Sequence, residues 1–425
     1  MDAICVHYGM YNMISPHGDV CLCLLSFNVC VTQLDSLLTF VSLSQYHYYR
    51  NRSIYNEIRV LVSAYVWMTG FGNFLYFDKK QDFSLERMVS MWVRINYFPL
   101  MLSIFLGVKL ELYYVVPLHT VGFFVTGATC YGAKLLREKF PDKLNHEKAN
   151  MAAIGICLLI HILFFETSMK NILTWFSHEY EFRFRTDKYS AWFGMLSGFL
   201  YARAKAYMQW CYGEDDNGSE VASGDGEQGK KTQNPKKQQA MYIQRAIGVM
   251  LILGWYFIYG HESDKHKYNP IHPFVFWMPI AGWLMLRNSS KRLTEMNSTM
   301  LDFFGRITLE TYVLQFHVFM CQNVQHIPVI IPGSGVNGFS LLKIINMLVT
   351  GAGFIALAYY ARKATTTTQE AITELVTDLK KKYKLCGGST EEEVPFTSIK
   401  PTFGIIEDEH DSTPNKESSE KDEEE

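Results

Sequence analysis

LDFFGRITLETYVLQFHVFM, residues 301–320, is long and apolar enough to cross a membrane as one helix. It nevertheless contains Arg306, Glu310, Gln315 and His317. At about 100° per residue, Arg306, Glu310 and His317 fall on one stripe of that helix. A charged group at the bilayer centre costs about 2.5–3.5 kcal/mol on insertion scales. A stripe with several such groups therefore indicates a partner, a water-filled cavity or a substrate.

Apolar runs of about 16–25 residues recur along the whole chain, which is typical of membrane helices. They predict an all-α fold, a multi-pass membrane bundle of about ten transmembrane helices. The predicted spans are 20–44, 56–77, 89–107, 112–132, 149–166, 189–211, 241–260, 273–287, 301–320 and 340–361.

Basic residues predict the orientation of these spans. Lys and Arg cluster in loops 133–148 and 288–300 and in the segment after residue 361, which ten spans place on one side together with both termini. By the positive-inside rule that side is the cytosol. The opposite loops include Asn51-Arg52-Ser53, an acceptor sequence for N-glycosylation in a lumen. We therefore expect cytosolic termini and a candidate glycosylation site at Asn51.

The composition outside the spans divides the chain further. Residues 213–239 are rich in Gly, Asp, Gln and Lys, and residues 387–425 form an acidic tail. Neither can bury enough apolar surface to offset chain entropy, so both are predicted to be disordered. Residues 363–386 are predicted to form a separate cytosolic amphipathic helix. This leaves residues 1–45 as an atypical N-terminus with the first span, and residues 46–362 as the multi-pass domain.

Charge and cysteine usage exclude two classes of function. The formal net charge is −2, and no basic stripe with interleaved aromatic residues occurs, so nucleic acid is excluded as the main ligand. The nine cysteines form no C-x-x-C pair and most lie in apolar runs, which indicates packing rather than a metal or redox site. We expect no metal.

On this topology, the polar residues at the span ends form two groups, one on each side of the membrane. Those toward the lumen are Arg59, His119, Arg183, Arg185, Asp187, His272, Gln315 and His317; those toward the cytosol are Arg94, Arg287, Lys291, Arg292 and Arg306. Arg and Lys suit a phosphate-rich donor, whereas an acceptor hydroxyl needs a general base and hydrogen-bonding groups. The distribution therefore fits group transfer across a membrane. Each residue alone also fits a simpler role, such as a snorkelling Arg287 or a helix–helix contact at His119.

Seven ordered blocks resemble one known family. They are IRVLVSAYVWMTGFGNFLYFDKKQDFSLERM (58–88), RINYF (94–98), YYVVPLHT (113–120), FRFRTDKYSAWFGML (182–196), HP (272–273), LRN (286–288) and GRITLETYVLQFHVF (305–319). On these blocks the chain resembles the ten-span membrane acyltransferase domain of polysaccharide and sialic-acid O-acetylation proteins. That family includes animal sialate O-acetyltransferase, plant reduced-wall-acetylation proteins and fungal capsule-acetylation proteins.

The resemblance implies transfer of an acetyl group from cytosolic acetyl-CoA to glycan hydroxyls in the Golgi lumen. We expect His317 to be the base or acetyl-handling group, oriented by Glu310, with Gln315 and His119 as further catalytic candidates. The expected acceptor-binding residues are Arg59, Arg183, Arg185, Asp187 and His272. The expected acetyl-CoA-binding residues are Arg94, Arg287, Asn288, Lys291 and Arg306.

Animal members carry a lumenal hydrolase-like domain before the membrane domain, and residues 1–45 match neither that domain nor the rest of the family. We therefore expect a separate hydrolase-type acetyltransferase as a partner, beside the glycan acceptor and membrane lipid. Two alternatives remain: a transporter of acetyl-CoA or an acetyl carrier without chemistry, and an inactive membrane partner of a hydrolase-type enzyme. The absence of an internal repeat disfavours a transporter built from inverted halves.

Overall fold

A computed structural model describes residues 54–212, 235–262, 264–296, 298–319, 327–334 and 341–383. The chain divides into two compact units, Met1–Thr377 and Asp378–Glu425, and only residues 378–383 of the second are described. The first predicted span, Asn51 and the tail 387–425 lie outside the described residues, as do residues 213–234 of the predicted disordered loop.

Within the described ranges, all regular structure is helical. The helices are α1 Tyr55–Lys80, α2 Leu85–Leu106, α3 Val115–Lys139, α4 His146–Glu166, α5 His178–Thr186, α6 Ser190–Tyr212, α7 Pro235–Trp255, α8 Lys265–Val275, α9 Trp277–Arg287, α10 Lys291–Glu295, α11 Thr299–Arg306, α12 Thr308–Leu314 and α13 Leu341–Tyr383. A short 3₁₀ segment, Leu110–Tyr113, precedes α3, and another, Ser168–Trp175, follows α4. π turns Tyr256–Gly260 and Gln315–Phe319 extend α7 and α12.

Local sequence sets several helix boundaries. The Ser84 hydroxyl accepts from the backbone N–H of Arg87 at the start of α2, and the Asn145 side chain caps α4 in the same way. Helix α2 ends at Gly107, whose φ of 64° favours glycine. The connections between α1, α2, α3 and α4 are short, so these helices run back and forth through the bundle.

Helix α1 is the core of the bundle, because every residue from Val62 to Phe74 is buried. Side chains on every face of α1 are buried, so other helices surround it. Its most extensive contact is with α6. We call the end of the bundle where α1 begins the Asn56 end, and the end where α6 meets α9 and α10 the Asn288 end.

Glycines allow the closest helix crossing, between α1 and α6. A Cβ on Gly194 would lie 2.1 Å from the Trp67 carbonyl oxygen, and a Cβ on Gly70 would lie 2.0 Å from the Ala191 carbonyl oxygen. Small residues at membrane helix interfaces permit this approach of the two backbones. A similar crossing joins α7 and α9 through Gly248 and Gly282.

The all-α membrane class predicted from the sequence is confirmed. Five helices among the described residues are long and apolar enough to cross a membrane: Tyr55–Lys80, Leu85–Leu106, His146–Glu166, Pro235–Gly260 and Leu341–Lys382. The other helices among the described residues do not combine that length with that apolar character.

Two predicted spans are not single helices. Residues 273–287 belong to α8 and α9, which meet at Phe276 and together continue from Lys265. The segment 301–320 is broken at Ile307, whose φ of −105° and ψ of 13° end the helical path, and it becomes a π turn from Gln315. A π turn advances less around the helix axis per residue than an α-helix, so the single stripe expected for Arg306, Glu310 and His317 is wrong.

Two segment predictions also need correction. Residues 363–383 continue α13 without a break, so the separate helix predicted for 363–386 is wrong. The helix continues because the residues after the span include Ala, Thr, Gln and Glu but neither proline nor glycine. Residues 235–239, predicted to be part of a disordered loop, form the first turn of α7. Pro235 suits this position, since the first helical residue needs no N–H donor.

We predict that Gly194→Ala destabilises the bundle, since overpacking a tight contact costs about 1–3 kcal/mol. Gly155→Ala in α4 is the matched control, because a Cβ there would meet nothing within 4 Å. Thermal unfolding of the detergent-solubilised protein measures the difference. Equal unfolding temperatures for the two variants would contradict the close α1–α6 crossing.

Candidate functional site

A buried polar network at the Asn56 end joins three of the residues expected to bind the acceptor. The NH2 group of Arg59 donates to Asp187 Oδ2 at 2.7 Å, and Ser63 Oγ lies 2.5 Å from Asp187 Oδ1. Ser63 Oγ is also 2.7 Å from His272 Nε2, and His272 Nδ1 is 2.9 Å from the Tyr268 hydroxyl. Arg59 and Ser63 are one turn apart on α1, and Tyr268 and His272 are one turn apart on α8, so each pair shares a helix face.

The order of these bonds shows what the network does chemically. An ionised Asp187 only accepts, so Ser63 donates to it, His272 donates through Nε2 to Ser63, and Tyr268 donates to His272 Nδ1. In a serine–histidine–aspartate triad the histidine stands between the other two and accepts the serine proton. Here Asp187 Oδ1 and His272 Nε2 are 3.9 Å apart and both face Ser63. The arrangement therefore orders Arg59 and Asp187 rather than activating Ser63.

A second ion pair lies inside the bundle between α2 and α12. Arg94 NH1 is 2.7 Å and NH2 3.3 Å from the two carboxylate oxygens of Glu310, and both side chains are fully buried. This two-pronged geometry is the strongest that an arginine and a carboxylate can form. Glu310 is therefore held by Arg94, 216 residues away in the chain.

His317 is half-buried in the π turn, and its Nε2 is hydrogen-bonded to the hydroxyl of Tyr113. Tyr113 itself is buried and belongs to the 3₁₀ segment before α3, which places the pair at the Asn56 end. The ring of Phe316 packs near the same tyrosine, at 6.4 Å between centroids. His317 thus combines a fixed ring orientation with partial exposure, as a group that handles a substrate proton requires.

The two other predicted catalytic residues are buried. His119 Nδ1 lies 2.5 Å from the Thr69 hydroxyl, and its ring packs edge-on against Tyr65 at 4.2 Å. Gln315 is 1% exposed, and neither atom of its amide has a hydrogen-bond partner among the described residues. Leaving a buried amide unpaired costs about 1–3 kcal/mol.

Arg183 and Arg185, expected to act together, have different surroundings. Arg183 lies over the ring of Tyr114, 3.9 Å from its centroid, and its Nε donates to Glu179 at 2.6 Å. Arg185 is exposed and 3.5 Å from Glu181. Burial opposes the charge on Arg183, yet Tyr114 and Glu179 outweigh it and raise the pKa of Arg183 above its ordinary value, although Arg59 acts against them as a like charge.

The Asn288 end contains the remaining predicted donor-binding residues. Arg287 NH2 donates to the Met296 carbonyl oxygen at 2.5 Å, so its side chain reaches the residue that follows α10. The backbone oxygen of Asn288 accepts from Tyr212 and Gln244, and that of Ser289 accepts from Arg245. Exposed cations at this end include Lys291 and Arg292 at the start of α10.

Three expected roles change with this geometry. Among the described residues, Glu310 makes no contact that orients His317; the hydroxyl of Tyr113 holds the histidine ring instead. The π turn causes this, because it changes the register between positions 310 and 317. Arg94 is committed to Glu310 inside the bundle and does not lie on a donor-binding surface. Arg306 is exposed and pairs with Asp302 at 2.5 Å on its own helix, since the break at Ile307 separates it from Glu310.

Several residues of these networks are not marked by any motif in the sequence. Ser63 and Tyr268 are each four residues from a predicted site residue, so helical spacing from Arg59 and His272 could have found them. Tyr113 and Tyr114 lie inside the block YYVVPLHT, but no local pattern separates them from the other tyrosines at span ends. Among the described residues, no group of three or more His, Cys, Asp or Glu could hold a metal ion.

Comparison with known families agrees with this architecture. The family model described as "10 TM Acyl Transferase domain found in Cas1p" matches residues 46–383. The chain belongs to this family. The resemblance stated from the sequence is thereby confirmed, and the match continues beyond residue 362 along α13.

A curated relative of this family member is the N-acetylneuraminate (7)9-O-acetyltransferase of Danio rerio, 25% identical over 327 residues. The match covers 72% of this chain but only 38% of that protein, so the chain spans well under half of the relative's length. No solved structure matches the chain.

We predict that Arg94→Met or Glu310→Met alone destabilises the protein by about 3–5 kcal/mol, because each leaves the other charge buried without its partner. The double variant, which removes both charges, recovers most of this loss. Arg306→Met is the matched control, since its exposed pair with Asp302 contributes about 0–1 kcal/mol. Denaturation of the four variants in detergent measures the coupling, and additive effects at 94 and 310 would contradict the buried pair.

Proposed function

We propose that this chain is a membrane O-acetyltransferase that moves an acetyl group from cytosolic acetyl-CoA to a hydroxyl of a lumenal glycan in the Golgi. It works alone or as the donor half beside a separate hydrolase-type acetyltransferase. The observation that carries the proposal is the half-buried His317, held by Tyr113 at the Asn56 end of a ten-transmembrane acyltransferase domain.

A carbohydrate acceptor is supported by the similar protein of Danio rerio, whose name gives N-acetylneuraminate as the molecule that is O-acetylated. This sugar carries a carboxylate as well as several hydroxyls. The polar residues at the Asn56 end, which the charge distribution of the loops assigns to the lumen, offer hydrogen-bonding groups of the kind that such an acceptor needs.

His317 can remove the proton of the acceptor hydroxyl. With its proton on Nε2 the ring donates to the oxygen of Tyr113, and Nδ1 keeps the lone pair of a base. The hydroxyl oxygen then forms a bond to the acetyl carbonyl carbon, and the bond from that carbon to the sulfur of CoA breaks. The proton held by His317 returns to the departing thiolate, so the histidine is regenerated.

The remaining residues support this chemistry from a distance. The Arg94–Glu310 pair fixes α12 against α2, and α12 leads directly into the π turn that carries His317. The unpaired amide of Gln315 is a candidate donor to the carbonyl oxygen as negative charge develops there. His119, bonded to Thr69, fixes α3 against α1.

The acetyl-CoA phosphates are proposed to bind at the Asn288 end, where Arg287, Asn288 and Lys291 occur together with Arg245. Ammonium and guanidinium groups recognise phosphates in proteins. The long flexible arm of CoA would then carry the acetyl group into the bundle toward His317.

We predict that His317→Ala lowers the acetylation rate about 10²–10⁴-fold, the range expected for loss of a general base. His161→Ala is the matched control, because His161 is a half-buried histidine of a membrane helix whose Nδ1 lies 2.8 Å from the Cys157 carbonyl oxygen of its own helix, α4. The assay follows O-acetylated glycans in cells that lack the endogenous enzyme, at matched expression, and then acetyl transfer by the purified protein.

Three results would reject the proposal. Acetylation that is undiminished by His317→Ala would exclude a catalytic role for this residue. Movement of acetyl-CoA without any acetylated product would indicate a transporter. If His317→Ala and His161→Ala both restored glycan acetylation to deficient cells as fully as the wild type, the chain would be an inactive membrane partner.

We predict that Lys291→Gln raises the KM for acetyl-CoA about tenfold, which corresponds to about 1.4 kcal/mol, with the KM for the acceptor unchanged. Arg203→Gln is the control, since Arg203 is an exposed cation that pairs with Glu147. Initial rates measured at varied concentrations of acetyl-CoA and of the acceptor give the two KM values. An equal change in both variants, or a change confined to the acceptor KM, would place the donor elsewhere.

A further inference from the structure

Arg59 has more hydrogen-bonding capacity than its surroundings use. It is 2% exposed, and only its NH2 group is bonded, to Asp187 at 2.7 Å. Its Nε and NH1 atoms are buried and have no hydrogen-bond partner among the described residues. The three N–H donors on these two atoms are thus left over, and such buried donors are costly unless a ligand receives them.

Arg183 carries a second partly used guanidinium group, close enough for its charge to interact with that of Arg59. Its Nε is bonded to Glu179, but its two terminal nitrogens have no hydrogen bond among the described residues. The face of Tyr114 supports the group at 3.9 Å, and 21% of the side chain is exposed. The arginine is therefore held in place on one side and open on the other.

The backbone connects these two arginines. Asp187, which binds Arg59, ends helix α5 by donating its own N–H to the carbonyl oxygen of Arg183 at 3.1 Å. The ion pair therefore fixes the turn that carries Arg183. Two neighbouring guanidinium groups repel each other in a site of low polarity, and an anion between them removes that repulsion.

We propose that Arg59 and Arg183 form a subsite for the carboxylate of an acidic acceptor sugar, with Tyr114 as its wall. This inference rests on the proposed function and specifies its acceptor. The planar fork of a guanidinium group matches the two oxygens of a carboxylate. The Ser63–His272 network keeps Asp187 in place on the NH2 group of Arg59, so that the Nε and NH1 donors are left for a ligand.

Two similar arginines of one helix differ in their surroundings. Arg183 and Arg185 each pair with a glutamate four residues earlier, Glu179 and Glu181. Arg185 is half exposed and has no aromatic support in the described structure. We therefore withdraw it from the acceptor-binding residues expected from the sequence and use it as the control. The pair therefore provides a matched variant and control.

The test compares Arg183→Gln with Arg185→Gln in the purified full-length chain, with N-acetylneuraminate and its uncharged methyl ester as acceptors. Arg59 is left unchanged, because removing a buried ion pair would threaten folding. The wild-type protein is expected to prefer the acid over the ester at least about tenfold in kcat/KM. Arg183→Gln should abolish that preference through a higher KM for the acid alone, and Arg185→Gln should keep it.

Arg183→Lys adds a second check, since an ammonium group retains the charge but not the fork, and we expect only partial recovery of the preference. The subsite is refuted if Arg183→Gln weakens acid and ester equally, or if it behaves like Arg185→Gln. If the wild-type protein transfers acetyl to neither acceptor, the proposed function fails instead. Thermal stabilisation by the acid but not the ester, lost in Arg183→Gln, then still supports the subsite, and its absence refutes it.

Discussion

The cost of burying a charge among membrane helices is the constraint on which this structure depends. Arg59 and Arg94 are among the largest fully buried side chains, and each is paired with a carboxylate from a distant part of the chain. Asp187 connects α1 to the junction of α5 and α6, and Glu310 connects α2 to α12. Because either partner alone would be strongly destabilising, these pairs fix which helices meet.

The close packing of α1 depends on the same arrangement. Gly70 and Gly194 bring α6 against α1, and this crossing lies between the Arg59–Asp187 pair and the far end of α1. The π turn after α12 then places His317 beside Tyr113, at the end of the bundle that contains Arg59 and His272. The candidate site is thus built from positions that separate helices hold in register.

The sequence predicted the class of fold and the end of the bundle at which most candidate residues lie. Arg59, Asp187 and His272 were grouped from span topology and loop charge alone, and they do meet. The partners could not be predicted in the same way. Arg94 and Glu310 are 216 residues apart, and nothing local in either segment specifies the other. A π turn leaves no clear signal in an apolar helix, so the stripe through His317 was extrapolated with the wrong period.

Other differences have equally local causes. Ser63 and Tyr268 resemble ordinary small or aromatic residues of a span, and only their spacing from charged neighbours indicates a role. The continuation of α13 to Tyr383 was missed because polar residues after a span were interpreted as a boundary, although none of them breaks a helix.

The central claim is that the bundle passes an acetyl group from a donor at the Asn288 end to an acceptor at the Asn56 end. Sealed Golgi-type vesicles with the reconstituted chain test it directly, with radiolabelled acetyl-CoA outside and the glycan acceptor inside. The account predicts labelled, O-acetylated glycan inside intact vesicles while the CoA remains outside. Acetylation that appears only after the vesicles are permeabilised would contradict it.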